Sequence, residues 1–420
     1  VLREWYLFPE TLPGALSPSG YATVNDYVDA LTATARSQGR DRFFTFVTSI
    51  AEENAFFSSG ASAGFGVRLS IDSAARRLFI SEAFENAPAL AAGIDRGTEI
   101  LAIGTTVANL RTVSDILIAE GSAGITNALG PSTAGTTRVL RVTDAGGTRD
   151  LTVTKANFDI VPVSSRYGAR VISDGGRQVA YLNLRTFIST ADAQLRSAID
   201  QFRAQGITNF VVDLRYNGGG LVSTAELMGD LLGGNRLTSE VFSVTTFRPE
   251  KSSNNETKRY APQPQSASPV KIAFITTSAS ASASELVINS MIPYYGTNLA
   301  LIGGNTFGKP VGQIAVDRTA CDDRMRVVAF STQNSVNGGF YYSGLASNVR
   351  VSCQAADDIT RPLGDASEAS LRQALNFIGG VACTPISSSG QTSQALRAGE
   401  RRMLTPDAPS AAQREVPGLY

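Results

Sequence analysis

Ser282, Lys309 and the glycines after Asn217 are the residues of this sequence whose types and spacing can do chemistry together. Ser282 lies in Thr277-Ser-Ala-Ser-Ala-Ser-Ala-Ser-Glu285, between a strand-like apolar run and a helix-like one. A serine at such a strand-to-helix turn can act as a nucleophile, because helix N–H groups nearby stabilise an oxyanion. Its three-residue spacing to Glu285 also fits a capping box, so the plainer role is a helix N-cap. Lys309 stands in Thr306-Phe-Gly-Lys-Pro-Val-Gly-Gln313, pinned between Gly308 and Pro310. The plainer role is a surface lysine. A desolvated lysine, unlike an arginine, can lose its proton at physiological pH and act as a base. Gln313 is placed to hold that amine by a hydrogen bond. Val211-Val-Asp-Leu-Arg-Tyr-Asn-Gly-Gly-Gly220 brings glycines to the end of a buried strand, where bare backbone N–H groups can face a ligand. An ordinary strand-to-helix turn is the alternative there.

Composition narrows the chemistry. The 420 residues contain no histidine, which closes Ser–His–Asp and Cys–His catalysis and His-ligated metal sites to this chain. Lysine is scarce: Lys155, Lys251, Lys258, Lys271 and Lys309 are the whole set, and the other basic residues are arginine. A sequence that nearly always chooses arginine makes a lysine in a tight loop informative. The 37 basic and 37 acidic residues balance, which argues against a nucleic-acid or anionic-membrane binder. No run of about 18 apolar residues is present, so no transmembrane segment is expected. Cys321, Cys353 and Cys383 lack CxxC spacing, so no zinc cluster is expected. One disulfide plus one thiol is allowed, with Cys321–Cys353 and Cys353–Cys383 both open. The sequence opens at Val1 without an initiator Met, as expected of a trimmed mature chain.

Two motif matches fail on inspection. Gly303-Gly-Asn-Thr-Phe-Gly-Lys309 has Walker A spacing, but Pro310 stands where the Mg²⁺-binding hydroxyl belongs. Ser268-Pro-Val-Lys271 satisfies S-x-x-K but enters a strand, and no S-D-N or K-T-G accompanies it.

The elements that must position these residues fall into regions of different texture. Residues 1–60 read as helical, with Val24, Val28 and Leu31 and then Phe43, Phe46, Val47 and Ile50 at helical spacing, and with Trp5 and Tyr6 packing there. From 61 to 158 short alternating strands and turns dominate: a strand after Gly64-Phe-Gly-Val67, another at Leu78–Ile80, a short helix stopped by Gly93, and a hairpin at Gly146-Gly147. From 159 to 384 the pattern is α/β, with strands at Val179–Leu184, Phe210–Leu214, Ile272–Ile275 and Leu299–Ile302. A helix bearing Leu195, Ile199 and Phe202 and an apolar helix from Glu285 lie between them, and Lys251–Pro269 reads as a surface loop. Residues 385–420 read as a loosely ordered tail rich in Ser, Thr, Gln and Arg. No internal repeat is visible.

In this order the glycine strand end, the S-A-S-E run and the F-G-K-x-x-x-Q loop resemble the carboxyl-terminal processing (tail-specific) serine peptidases. Residues 64–158 resemble the PDZ domain of that family through Gly64-Phe-Gly-Val67 and Ala87-Pro-Ala-Leu-Ala-Ala-Gly-Ile-Asp-Arg-Gly-Thr-Glu-Ile-Leu-Ala-Ile103. Glu4-Trp-Tyr-Leu resembles the N-terminal domain of some bacterial members. The resemblance implies a multi-domain α/β protein: a helical N-terminal domain, a PDZ-like β-rich domain and a crotonase-like α/β catalytic core. It implies Ser282 as nucleophile, Lys309 as base and Gln313 as its support. Ala283 with Gly219 or Gly220 would form the oxyanion hole, and Phe65, Gly66 and Val67 would bind a peptide carboxylate. No metal or cofactor is implied. The expected partners are protein or peptide substrates with accessible C-termini, cleaved as a serine endopeptidase. The expected location is the bacterial periplasm or cell envelope, with which a lipid anchor upstream of Val1 is compatible. Two departures stand out: Gly218 replaces a common proline, and the spacing from Ser282 to Lys309 is slightly long, with the extra residues expected in a Pro293–Asn298 turn. Rival readings are a catalytically silent peptide- or ligand-binding homologue and an acyl-CoA-processing enzyme. Val416-Pro-Gly-Leu-Tyr420, apolar at the end of the tail, raises the expectation of self-engagement or self-trimming.

Overall fold

The computed structural model describes residues 1–387 and 401–420. Its centre is a six-stranded sheet whose neighbours run Ala169–Asp174, Arg177–Asn183, Asn209–Asp213, Lys271–Thr276, Leu299–Gly303 and Val351–Gln354. The first pair is antiparallel and the rest are parallel. Parallel strands need long crossovers, and the helices that supply them cover both faces, so the strands read as continuous apolar runs. Alternation sorts the side chains. Phe210, Val212, Phe274 and Leu301 face helices Ala191–Ala204, Val222–Leu232 and Ala283–Tyr295. Val211, Ala273, Ile275 and Ile302 face helix Ala369–Ile378.

A second, antiparallel sheet is built from residues 67–154, with core residues that include Leu69, Ile80, Ile100, Ile103, Leu140 and Val142. Helix Val113–Leu129, bent at Gly121 (φ 65°), closes it on one side, and the short helix Pro88–Ala91 ends before Gly93 as its sequence predicts.

A third sheet corrects two sequence expectations. Phe46–Ser49, expected as helix, is a strand paired with Asp323–Gln333. The same spacing of Phe43, Phe46, Val47 and Ile50 is met by a left-handed Phe43 (φ 64°), the strand, and a helix beginning at Ile50. Asp41 makes that turn: its buried carboxylate accepts from the Phe44 and Thr45 N–H groups and the Tyr6 hydroxyl, at 2.7, 3.2 and 2.8 Å. Tyr6, Phe8, Ala35 and Phe44 then pack on Val311, Val327 and Val328, so the N-terminal residues are built onto the strand Val311–Arg318 that follows the lysine and onto its neighbour. Within the expected surface loop, Glu256–Arg259 is an edge strand of this sheet, its polar side chains suiting an edge that faces solvent.

The expected loose tail is corrected for residues 401–420; residues 388–400 lie outside the described residues. Leu404, Val416, Leu419 and Tyr420 are each no more than 2% exposed. Burying such side chains contributes roughly 1.5–3 kcal/mol apiece, enough to dock a segment whose overall composition is polar. Cys353 and Cys383 form the disulfide, tying the edge strand of the central sheet to residues after the last core helix, and Cys321 is exposed. No helix among the described residues is long and apolar enough to cross a membrane.

Candidate active site

Ser282 is presented by a strand-to-helix turn. Strand Lys271–Thr276 leaves the central sheet, and helix Ala283–Tyr295 begins immediately after the serine, which adopts φ 56°, ψ −113°. A non-glycine residue at positive φ is costly and is held only where the surroundings determine it. Here they do. Ala281 N–H donates to Asn217 O at 3.0 Å, Ser284 Oγ to the same oxygen at 3.1 Å, and Ser280 Oγ to Leu214 O at 2.8 Å. The serine turn is thereby fixed to the glycine strand end.

Gly219 (φ +124°) abuts Ser282 so closely that a Cβ on it would lie 2.8 Å from the serine Cβ, and 3.2 Å from Ala283 N. A Cβ on Gly220 (φ +132°) would meet Phe187 O at 2.1 Å. These two positions demand glycine. Their amides are not equivalent to the sequence expectation. Gly219 N–H donates to Asn217 Oδ1 at 3.0 Å, and it is Gly218 N–H that holds a carbonyl arriving from elsewhere, Glu415 O, at 3.0 Å.

The lysine loop is joined to the serine turn by one buried carboxylate. Glu285 Oε2 accepts from Ser282 N–H (3.0 Å) and Lys309 N–H (2.7 Å), and Oε1 accepts from Gly308 N–H (2.7 Å). Burial pushes the Glu285 carboxyl up, and these amides together with the Thr306 hydroxyl oppose it. Phe307 N–H donates to Ser280 O at 2.9 Å, adding a second tie. Gly308 (φ +91°) is required because a Cβ there would lie 2.3 Å from Tyr342 O.

Lys309 is partly buried, and its Nζ donates to Gln313 Oε1 at 3.3 Å, the partner expected from spacing. Nζ lies 5.0 Å from the centroid of the Phe44 ring, and Gln313 Nε2 donates in turn to Phe44 O. Desolvation lowers the lysine pKa; Glu415 raises it, Arg414 and Arg326 lower it, and Asp41 raises it. Arg42, whose guanidinium donates to Phe307 O and Gly308 O and lies 4.1 Å from the Phe307 ring centroid, braces the loop from the N-terminal segment.

The peptide-binding expectation falls on a separate edge. Gly66 N–H and Val67 N–H both donate to Tyr420 O, at 2.9 and 3.2 Å, while Phe65 turns its carbonyl to Ala89 N–H and its ring to Lys155 Nζ. Between this edge and the glycine strand end lies fully buried Arg68, which donates to Tyr216 O at 2.7 Å and pairs with Glu82 at 2.8 Å. Burial alone would raise the Glu82 pKa, but Arg185 and Arg68 hold it down at about 2, so the junction is a charged, paired cluster. Pro293, expected in a turn, lies inside the helix, and residues Gly296–Asn298 alone make the turn before the next strand.

Glu285, Asn217, Arg42 and Arg68 are the site residues that sequence reasoning missed. Glu285 carried a signal, its capping-box spacing, but one that predicts only a bond within the turn. Among the described residues no cluster of three or more His, Cys, Asp or Glu side chains is arranged to hold a metal ion.

The chain matches the model of peptidase family S41 over residues 178–336. It is 31% identical over 138 residues to a CtpA-like serine protease of Staphylococcus epidermidis, covering 32% of this chain and 26% of that one. It is 26% identical over 256 residues to a carboxyl-terminal-processing protease of Picosynechococcus sp., covering 60% of this chain and 55% of that one. The chain thus matches about a quarter to a half of the length of these relatives. Among solved structures, an S41 protease of Bacteroides fragilis superposes with a TM-score of 0.69 at 22% identity, covering 91% of this chain and 96% of that one. A CPAF mutant superposes at 0.51 and 12% identity, covering 92% and 97%. Both show a related multi-domain α/β fold. The segment that matches peptidase family S41 contains the glycine strand end, the serine turn and the lysine loop.

Proposed function

We propose that this protein is a serine endopeptidase that cleaves unstructured or C-terminal regions of proteins, with Ser282 as nucleophile and Lys309 as general base. The observation that carries this reading is the Glu285 carboxylate, one oxygen of which binds the backbone of both residues. In the chemistry we assign, neutral Lys309 Nζ accepts the Ser282 hydroxyl proton as Oγ attacks the scissile carbonyl carbon. The carbonyl π electrons move onto oxygen, which we assign to the Ala283 N–H and a glycine N–H of the strand end. Collapse breaks the C–N bond, and Lys309 passes its proton to the leaving amine. Water then attacks the acyl ester, giving its proton to Lys309, which returns it to Ser282 as the acid leaves. Gln313 orients the amine throughout.

In the same reading residues 1–60 form an N-terminal unit, 61–158 a PDZ-like domain and 159–384 a crotonase-like core. The PDZ-like domain takes a peptide as an added strand, its carboxylate on the Gly66 and Val67 amides. A location outside the cytoplasm fits the Cys353–Cys383 disulfide, since such bonds persist in oxidising compartments; a bacterial periplasm or envelope is the specific version.

Cleavage profiling tests the function directly. A denatured proteome treated with the wild type should gain new termini that are absent after treatment with Ser282→Ala; identical profiles would leave only the silent-homologue reading. The groove has its own test. Replacing the free carboxylate of a substrate peptide by a carboxamide should raise KM by about tenfold or more, because hydrogen bonds to a charged group contribute about 1.5–3 kcal/mol. Equal KM values for the two peptides would show that the domain only braces the core.

A further inference from the structure

The groove is already filled. Tyr420 N–H donates to Val67 O at 3.0 Å, Leu69 N–H donates to Gly418 O at 2.7 Å, and Leu419 pairs antiparallel with Arg68. With the Gly66 and Val67 amides on Tyr420 O, residues 418–420 form an added strand of the kind a peptide ligand would make. The side chains alternate as such a ligand's would. Tyr420 enters the core of the antiparallel sheet, where its hydroxyl meets Thr126 Oγ1 at 3.0 Å. Leu419 enters a separate cluster with Phe84, Phe158 and Ile188.

The same segment reaches the glycine strand end and the neighbourhood of the lysine. Pro417 O accepts from Arg68 Nη1 at 3.1 Å, and Glu415 O accepts from Gly218 N–H. Gly218 is so closely covered that a Cβ there would lie 2.7 Å from Arg414 O. The Glu415 carboxylate is buried, has no hydrogen-bond partner on Oε2 among the described residues, and acts on Lys309 as its strongest charged neighbour. A carboxylate beside the amine favours the ammonium, the form that cannot take a proton.

We infer that residues 410–420 are a built-in competitor that occupies both the peptide groove and the face of the site, so that substrate ends gain entry by displacing them. This rests on the function proposed above. Tethering gives the segment an effective concentration on the order of millimolar, which a free peptide must outcompete. Burial of Glu415 without a full set of partners weakens the seat and keeps it displaceable. The occupant also reports the ligand class: a polypeptide segment with two adjacent large apolar residues, the second carrying a hydroxyl that Thr126 can meet.

The test uses the full chain in the Ser282→Ala background, so that no chemistry intervenes. The probe is a fluorescein-labelled nonapeptide with the sequence of residues 412–420, read by anisotropy. Leu419→Asp with Tyr420→Asp should release the segment and tighten probe binding by about tenfold or more relative to the unaltered segment. Adding Gly66→Ala, whose Cβ would strike Ala87 Cβ, should abolish that binding. If the double variant does not fold, Gly418→Ala replaces it. Its Cβ would lie 2.8 Å from Leu69 O and so loosens the added strand without removing an apolar side chain. Equal affinity with and without release, or no binding to either, overturns the inference. Loss of peptidase activity in this background does not touch the binding result, so the two readings fail separately.

Discussion

Lys309→Arg should lower kcat/KM on an unstructured peptide by about 10³-fold or more while leaving the thermal transition in place. The change keeps the positive charge and most of the stem, so a lysine that served only to neutralise or to space the loop would tolerate it. A general base would not, because the guanidinium has no accessible neutral form. Ser282→Ala should do as much, and the double variant no more than either alone, since residues that act as one unit lose their contribution together. The sign of the pH dependence follows from the same assignment. Desolvation lowers the lysine pKa, the neutral amine is the active form, and the wild-type rate should therefore rise with pH through that depressed value and level off above it. The residual rate of Lys309→Arg should lack that rise. An arginine variant within a few-fold of wild type, or one that shares the wild-type pH profile, would sink the assignment.

Much of this arrangement was legible in the sequence because it depends on local rules. Strands of a parallel sheet covered on both faces must be apolar throughout, and Phe210–Val212 and Ile272–Ile275 are. The glycines at 219, 220 and 308 stand where another chain segment comes too close for a Cβ, and the Gly–Lys–Pro loop advertised its constraint. What escaped was set by partners distant in sequence. Phe46–Ser49 has helical spacing in isolation, but Asp323–Gln333, some 270 residues on, recruits it into a sheet. The docked segment after residue 400 was hidden because composition averages over a polar stretch, whereas burial depends on four apolar side chains within it. Spacing could not choose between two cysteine pairings, since only the fold brings Cys383 beside Cys353. Nor could it foresee that the Asn217 side chain would take the Gly219 amide while that of Gly218 binds Glu415 O, some 200 residues on.

Glu285→Gln carries the second large effect. The two side chains have the same shape, so any loss measures hydrogen-bond chemistry. The carboxylate offers acceptors on both oxygens, to Gly308 N–H on one side and to Ser282 and Lys309 N–H on the other. An amide offers one oxygen only. Whichever way it turns, an NH₂ group confronts a buried N–H: that of Gly308 in one orientation, those of Ser282 and Lys309 in the other. Leaving a buried donor unsatisfied costs about 1–3 kcal/mol, and urea denaturation should record a loss of that size. Activity should fall further than stability alone explains, by about 10²-fold, because the carboxylate sets the register of nucleophile and base, and misplacement of an ångström has that scale of consequence. The kcat should carry most of the change and KM should stay near wild type, since the Glu285 carboxylate binds the Ser282, Gly308 and Lys309 amides and not those of Gly66 and Val67. If Glu285→Gln were destabilised as expected yet retained its kcat, the carboxylate would be a helix-capping group and nothing more, and the serine turn and the lysine loop would have to be held in register by the Ser280–Phe307 bond and the Arg42 brace instead.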